Sequence, residues 1–306
     1  STFPRTCIPC RSDQQKGRRP GAKVATAALH PREDVIFIME YVRFGNTGMI
    51  VSRMCLGAMT FGPPKLDEEA SRRVVDEALD HGINFIDTAE SYKQSEEILG
   101  RVLAGRREKV HLCTKVFRKR AREGKCGRNS RVNMIESLNQ SLEKLQTDYV
   151  DIYLLHHPDP DMSIEETTEA LELMVRQGKV RYVGVSNHYA WQMAYMLGVQ
   201  RLHGRQPIIT IQCRWNLLDR AVERETMPFV RKFNLATMLY SPLAEGLLSG
   251  KYQRSAEPPE GSRGESHKIL KRYLEDDQTF DTIEAVQQIA DDLLRLGRRV
   301  LDTQLE

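Results

Sequence analysis

Four side chains that can exchange or stabilise a proton follow short apolar stretches of this sequence. Asp87 ends the run 84–87 (NFID), Tyr92 follows five residues later, and Lys115 and His156 end two later runs. A phenol has an ordinary pKa near 10, and a neighbouring ammonium group lowers that pKa by favouring the phenolate. A carboxylate keeps the lysine charged, and a histidine can orient a carbonyl oxygen or share its proton. Together these groups predict a proton donor for a carbonyl that receives hydride.

Each of these residues also has a structural interpretation. Lys115 could be a capping surface charge, Asp87 could cap the following helix, and a lone histidine is more often a satisfied core residue. His156 and His157 are adjacent on a segment predicted to be extended, so their side chains should diverge and cannot share one metal ion. Nothing in the sequence predicts a metal site or an activated nucleophile. The elements that position these residues decide between the interpretations.

Short apolar runs alternate with helical patterns along most of the chain, after a small hairpin predicted at 41–51. The predicted strands are Ser52–Gly57, Asn84–Asp87, Val110–Lys115, Tyr149–Leu155, Val180–Val185, Ile208–Gln212 and Leu235–Tyr240. The predicted helices are one that opens at Leu66, then Ser95–Leu103, Val132–Leu145, Ile164–Arg176, Ala190–Gly198, Val222–Phe233 and Thr282–Leu296. Residues 253–280 are polar and without a period. Alternation of this kind is typical of parallel βαβ units.

Seven such units could form either a doubly wound sheet or a (β/α)8 barrel. The periodicity of apolar residues does not distinguish these two folds. No G-x-G-x-x-G follows the first strand, and its absence favours the barrel. The carboxyl ends of parallel barrel strands converge on one mouth. We therefore expect the four chemical side chains to meet there, together with Ser186-Asn187, Gln212 and Tyr240-Ser241, which stand at the ends of the later strands.

Composition excludes several classes of partner. The chain has 306 residues, with 45 basic and 42 acidic side chains and a formal charge of +3. The basic cluster around 118–128 has no interleaved aromatic residues, which favours a solvated loop over a nucleic-acid site. No apolar run reaches membrane-spanning length, so we expect no membrane insertion. The six scattered cysteines, with a lone CxxC at Cys7 and Cys10, favour a reduced, cytoplasmic setting. Residues 1–38 are rich in Arg, Pro, Gly and Ser and predict a disordered extension ahead of a barrel domain over 39–306.

The chain resembles the aldo-keto reductases, a family of NADP(H)-dependent (β/α)8 barrel enzymes. The matching stretches are 85–92 (FIDTAESY), 114–115 (TK), 151–159 (DIYLLHHPD), 178–187 (GKVRYVGVSN), 212–217 (QCRWNL) and 240–251 (YSPLAEGLLSGK). They span about 40 to 252 in the order that the family shows, and jointly they are very specific. The hairpin at 41–51 resembles the one that caps the floor of the family's barrel. The final stretch superficially suggests a Walker loop, but it is one residue short of that motif.

The resemblance implies a role at each matching position. Tyr92 would be the general acid, Asp87 and Lys115 would tune it, and His156 would orient the carbonyl of a small aldehyde or ketone. His156 rather than His157 matches, because the family places one residue between this histidine and the proline. The cofactor would be NADP(H), held by the set Ser186, Asn187, Gln212, Trp215, Ser241, Leu243 and Gly246. Trp215, which would stack on the nicotinamide, could equally be a core aromatic residue.

Two departures from the family pattern bear on function. Trp215 stands where the family usually has Tyr, a change that keeps a stacking face. Residues 297–306 do not resemble the family's last strand or the segment that grips the adenosine, so we expect the last strand to be missing or atypical. The alternatives to an active reductase are a catalytically weak cofactor-binding subunit, as in channel-associated members of the family, and a truncated, non-functional product. The sequence predicts neither the substrate, nor a preference between NADP and NAD, nor the oligomeric state.

Overall fold

The structure is a computed structural model that describes residues 38–117, 127–266 and 268–303. The predicted extension over residues 1–38, with Cys7 and Cys10, therefore lies outside the described residues except for Ile38. Most of the basic cluster at 118–128 lies outside them as well.

Nine strands form two sheets in this part of the chain. Tyr41–Arg43 (β1) and Ile50–Ser52 (β2) pair antiparallel as the predicted hairpin. The other seven form one parallel sheet in chain order: Leu56–Gly57 (β3), Phe85–Asp87 (β4), His111–Val116 (β5), Val150–Leu155 (β6), Val180–Ser186 (β7), Ile208–Arg214 (β8) and Ala236–Tyr240 (β9). Helices connect the strands of this sheet, as the alternating pattern predicts.

The helices fall into a group that crosses over between strands and a group that follows the last strand. The crossover helices are Glu68–Asp80 (α1), Ser95–Val102 (α2), Arg131–Leu145 (α3), Ile164–Arg176 (α4), Ala190–Leu202 (α5) and Thr226–Phe233 (α6). The following helices are Arg263–Ser266 (α7), Lys268–Leu274 (α8) and Asp277–Thr303 (α9). Short 3-10 turns stand at Arg107–Lys109, Ala221–Glu223 and Ala244–Ser249.

Local sequence explains where these elements begin and which faces they bury. The side chains of Asp67, Ser130 and Ser163 each accept a hydrogen bond from a backbone N–H in the first turn of α1, α3 and α4. Such capping satisfies N–H groups that have no partner within the helix. All six residues of β6 are buried, as expected where a parallel sheet is covered on both faces.

The sheet curls into a partial (β/α)8 barrel with two unclosed edges. Within the described residues β3 pairs only with β4, and β9 only with β8. A groove of about 970 Å³ lies along these edges and above the hairpin. Its lining includes the apolar side chains of Phe44, Val51, Phe85 and Met238, with Asp87 and Gln212. In residues 38–117, 127–266 and 268–303 the fold is the predicted barrel with its last strand missing.

The apolar core has one layer on each side of the sheet. The larger cluster lies between the sheet and the crossover helices and includes Leu112, Leu138 and Leu171. The smaller cluster lies inside the curl, where Phe44 of the hairpin region packs with Phe85, their ring centroids 5.5 Å apart. The hairpin thus closes the floor of the barrel at the amino ends of the strands.

The first predicted strand, Ser52–Gly57, is wrong in its extent. Ser52 ends the hairpin, because its backbone N–H donates to Asn84 Oδ1 at 2.7 Å and its Oγ accepts from the Asn84 N–H at 3.1 Å. These bonds fix Ser52 to the start of β4, and only Leu56–Gly57 joins the parallel sheet. Cys55 and Cys113 both stand in apolar stretches of the sequence, which predicts small core residues at both positions. Cys113 is buried, whereas Cys55 is exposed in the groove.

The segment after β9 is more ordered than its polar composition predicts. Residues 263–266 and 268–274 form α7 and α8, and the last helix begins at Asp277 rather than Thr282. The Asp276 carboxylate accepts from the backbone N–H and the hydroxyl of Thr279, which starts that helix. A third apolar cluster, with Leu247, Tyr252 and Phe280, supports these elements. The few apolar residues of this segment are too widely spaced in the sequence to form a helical periodicity.

Candidate active site

The side chains singled out from the sequence stand along the carboxyl edge of the parallel sheet. Asp87 is the last residue of β4, Lys115 lies one residue before the end of β5, and His156 follows β6 directly. Ser186 ends β7 and lies in register with Gln212 of β8. Because adjacent parallel strands end at the same edge, residues far apart in sequence meet there.

Asp87, Lys115 and Tyr92 are in direct contact. The Lys115 ammonium donates to Asp87 Oδ2 at 2.8 Å, to the Thr88 carbonyl oxygen at 2.6 Å and to the Tyr92 hydroxyl at 3.3 Å. It also lies 4.6 Å from the centre of the Tyr92 ring. Lys115 is fully buried, so its charge is held by these oxygen atoms rather than by water.

The electrostatics of this set differ in one respect from the prediction. Burial lowers the pKa of Lys115, but the neighbouring Asp87 carboxylate and Tyr92 outweigh that effect and raise the pKa above its ordinary value. Burial is also the largest effect on Tyr92, and it raises the pKa of the phenol although Lys115 lowers it. The predicted lowering of the Tyr92 pKa by Lys115 is therefore present, but burial, which the sequence does not reveal, outweighs it. The arrangement holds a protonated phenol beside an ammonium group that would stabilise the phenolate left after proton transfer.

His156 lies beside the phenol as a neutral imidazole. Its ring centroid is 6.0 Å from that of Tyr92, in an edge-to-face arrangement. Burial, with the nearby Lys115 charge, lowers the pKa of His156 to about 3. The predicted divergence of His156 and His157 is wrong, because their rings stack with centroids 4.8 Å apart and an angle of 3° between the planes. Both residues lie in a bend after β6, where the alternation of an extended strand does not hold.

Gln212 and Asn187 extend the site through amide side chains. Gln212 Nε2 donates to Asp87 Oδ1 at 3.0 Å. Asn187 Nδ2 lies 3.0 Å from Ser186 Oγ and 3.1 Å from the carbonyl oxygen of His156. The Tyr240 hydroxyl donates to Asn187 Oδ1 at 2.8 Å. The backbone N–H of Asn187 donates to the Gln212 carbonyl oxygen at 3.0 Å, so one connected set of polar contacts joins the ends of β4, β7, β8 and β9.

The remaining residues of the predicted cofactor set lie on the loops that follow β8 and β9. Asn216 Nδ2 donates to the Ser241 carbonyl oxygen at 3.0 Å and so ties the two loops together. Leu243 is 56% exposed, and Gly246 has a φ of +104°, which suits glycine. Trp215 is partly buried against the main core, and its indole N–H donates to Glu223 at 2.8 Å.

The structure adds residues to the site that sequence reasoning did not assign. Thr88 contributes a backbone carbonyl oxygen, which no residue type could have indicated. His157, which stands within a stretch that resembles the family, lies beside Asn187. Tyr240 was expected at this mouth from its place at a strand end, and its hydroxyl contacts Asn187 there. The Arg214 guanidinium pairs with Glu245 at 3.2 Å and with Asp219 at 3.3 Å, which anchors the loop after β9 to the end of β8.

The described residues contain neither a cluster of metal ligands nor a membrane-spanning helix. No group of three or more His, Cys, Asp or Glu side chains in 38–117, 127–266 and 268–303 could hold a metal ion. Over the same ranges, no helix has the length and apolar content needed to cross a membrane.

The chain is similar in sequence to proteins of a known family. The sequence profile of the Aldo/keto reductase family matches residues 53–296. The chain is 39% identical over 231 residues to the uncharacterized oxidoreductase YrpG of Bacillus subtilis (strain 168), a match covering 71% of this chain and 70% of the relative. It is 38% identical over 220 residues to the aldo-keto reductase YhdN of the same organism, covering 70% of this chain and 65% of the relative, which is just under two thirds. It is 34% identical over 268 residues to a probable voltage-gated potassium channel subunit beta of Arabidopsis thaliana, covering 83% of this chain and 80% of the relative.

Proposed function

This chain belongs to the aldo/keto reductase family of oxidoreductases, and from that premise we propose that it reduces aldehydes or ketones to alcohols with NADPH. The observation that carries the proposal is the buried Lys115 ammonium, which contacts both the Asp87 carboxylate and the Tyr92 hydroxyl. We place the enzyme in the cytoplasm, in keeping with the free thiols of Cys55, Cys113 and Cys213.

Each side chain of the site has its own role in the reaction. NADPH, when bound, supplies the hydride that the carbonyl carbon accepts. Tyr92 gives its hydroxyl proton to the carbonyl oxygen, and the Lys115 ammonium at 3.3 Å stabilises the phenolate that remains. Asp87 keeps that ammonium charged and in place. Neutral His156 offers a ring N–H to the carbonyl oxygen and thereby orients it. Solvent returns one proton to Tyr92, so the aldehyde or ketone takes up one hydride and one proton in total.

The residues at the strand ends fit the nicotinamide carboxamide. Gln212 uses its Nε2 on Asp87, so its carbonyl oxygen can accept from the carboxamide NH₂. Ser186 and Asn187 stand beside it and would supply further polar contacts. Trp215 would present the free part of its ring for stacking.

The loop after β9 fits the pyrophosphate. Ser241 and Gly246 both have positive φ values, which turn the backbone sharply, and Leu243 stands on the same loop. A side chain at position 246 would come within 3.0 Å of the Lys251 Nζ, so glycine leaves room beside that ammonium group. A sharply turned backbone beside a lysine ammonium group is suited to binding a phosphate group.

The direct test is NADPH oxidation in the presence of a reactive aldehyde, with Tyr92→Phe compared to the wild type. We expect kcat to fall by roughly 10²–10⁴-fold in this variant, which is the usual contribution of a general acid. Tyr195→Phe is the matched control, because the Tyr195 hydroxyl bonds to Glu165 on the outer surface and its loss should leave kcat unchanged. Equal rates for Tyr92→Phe and the wild type would refute the proposed mechanism.

A second candidate is a cofactor-binding protein with little turnover. The observation in its favour is the 34% identity to the probable voltage-gated potassium channel subunit beta. The two candidates differ in a simple pair of measurements. Quenching of protein fluorescence by NADPH without oxidation of NADPH by any reactive carbonyl favours the binding protein, whereas turnover supports the reductase.

A further inference from the structure

The orientation of the His156 ring has an unusual cause. A functional histidine is commonly fixed by a hydrogen bond at its second ring nitrogen. In the described part of the chain His156 Nδ1 is buried and has no hydrogen-bond partner. The ring must therefore be held by packing.

Three aromatic rings surround His156. Tyr92 and Phe117 present their rings at 6.0 and 5.2 Å, each at a steep angle. Of these three rings His157 is the one that stacks face to face on His156, with the two planes within 3° of parallel. The torsion that turns an imidazole about its Cβ–Cγ bond has broad minima, so removal of that covering face would free the ring to rotate.

His157 is itself held in place from the other side. Its Nδ1 lies 3.4 Å from Asn187 Nδ2, and its ring stands 6.1 Å from Phe117. Asn187 in turn accepts from the Tyr240 hydroxyl and contacts the His156 carbonyl oxygen. The ring of His157 therefore connects the amide at the end of β7 with the imidazole that follows β6.

We propose that His157 is a positioning residue, whose ring face holds the His156 imidazole beside Tyr92 in the orientation that meets the substrate carbonyl. This inference rests on the proposed reductase function. It assigns His157 no contact with the reacting atoms and no proton transfer. What matters is a flat ring at position 157, and the nitrogen that meets Asn187 is secondary.

Three substitutions separate the ring face from the hydrogen bond. His157→Phe keeps a flat ring and removes the nitrogen, His157→Gln keeps a polar partner for Asn187 and removes the ring, and His157→Ala removes both. We expect kcat with a reactive aldehyde to stay near the wild-type value in the Phe variant. It should fall roughly tenfold in the Gln and Ala variants, a part of the ~10²–10⁴-fold contribution of such groups. The dissociation constant for NADPH, measured by fluorescence quenching, should change little in all three, because Asn187 keeps its other partners.

Two kinetic results would overturn this inference. One is a loss of kcat in His157→Phe as large as that in His157→Ala, and the other is an unchanged kcat in His157→Ala. Thermal melts identify any variant that fails to fold, and the Phe and Gln variants still decide the matter if the Ala variant is lost.

A spectroscopic measurement tests the same geometry without turnover. The carbon-bound imidazole protons of His156, assigned by their loss in His156→Asn, should show a ring-current shift from the stacked ring. That shift should persist in His157→Phe and disappear in His157→Gln and His157→Ala. If the wild type oxidises no NADPH with any carbonyl, the proposed function fails, and this shift alone decides whether His157 positions His156. A shift that is the same in all variants would overturn the positioning role.

Discussion

The Lys115 ammonium and the Asp87 carboxylate form an ion pair of 2.8 Å between two neighbouring strands, and no part of the Lys115 side chain is exposed. The residues are 28 positions apart in the sequence. They meet because β4 and β5 are adjacent and parallel, and because each residue lies at the carboxyl end of its strand. The pair therefore couples the stability of the sheet to the chemistry of the site.

Lys115→Met should destabilise the fold as well as abolish turnover. Removal of one partner from a buried ion pair typically costs about 3–5 kcal/mol, because the other charge is left without compensation. Asp87 keeps 12% of its side chain exposed, so we expect a loss near the lower end of that range, about 3 kcal/mol in the free energy of unfolding. Urea denaturation measures this loss, and Lys109→Met on the exposed surface serves as the control. A Lys115→Met protein with wild-type stability would contradict the ion pair as described.

The rate of carbonyl reduction should depend little on pH near neutrality. The pKa of His156 is lowered to about 3 and the pKa of Tyr92 is raised above its ordinary value, so His156 stays neutral and Tyr92 stays protonated. We expect kcat/KM for reduction to vary less than about twofold between about pH 5 and about pH 9, since neither group titrates there. A titration with a midpoint near 6.5 that disappears in His156→Asn would show that the imidazole is not buried as the structure has it.

Asp151 should make the stability of the fold depend on acid pH. Burial by itself raises the pKa of this carboxyl, but the nearby His111 ring and hydrogen bonds from the Leu112 N–H and Arg107 outweigh burial and lower the pKa to about 2. A depressed carboxyl pKa stabilises the folded state above the ordinary value, and that contribution is lost as pH falls from about 4 towards about 2. The loss should be about 2 kcal/mol in the free energy of unfolding.

Denaturation by urea at a series of pH values tests the role of Asp151. Asp151→Asn should remove the acid dependence and lower stability at neutral pH, because Arg107 and Arg181 both pair with this carboxylate at 2.8 Å. Asp148→Asn, at an exposed position three residues earlier, is the control and should keep the wild-type profile. An unchanged profile in Asp151→Asn would exclude this carboxylate as the cause.

Two glycine substitutions should change the free energy of unfolding in opposite directions. A Cβ at Gly184 in β7 would overlap Thr210 Cγ2 and come within 2.8 Å of Leu154 Cδ2, whereas a Cβ at Gly198 in α5 would meet nothing within 4 Å. Gly184→Ala should therefore lower the free energy of unfolding by about 1–3 kcal/mol through overpacking. Gly198→Ala should raise it by about 0.5–1 kcal/mol, because alanine favours a helix. Equal stability of the two variants would show that β7 and β8 are not packed as closely as described.

The predicted elements that agree with the structure are those whose sequence pattern is local and long. Strand β6 and helix α3 follow from the spacing of their apolar residues, which needs no knowledge of distant residues. Helices α7 and α8 lack such a pattern, since a few apolar residues from separate turns form their cluster. Cys55 shows the same limit. Apolar residues beside it in the sequence predict burial, but the side chain is buried only if another strand covers it in space.

The sequence by itself determined which chemical groups stand at the carboxyl ends of which strands, because strand periodicity and motif spacing are properties of the chain alone. The tertiary structure decided the pKa values and the orientation of those groups. Burial raises the pKa of Tyr92 against the effect of Lys115, and the bend after β6 stacks His157 on His156 instead of turning it away. Desolvation and ring packing depend on what surrounds a side chain in space, and elements distant in sequence supply those surroundings.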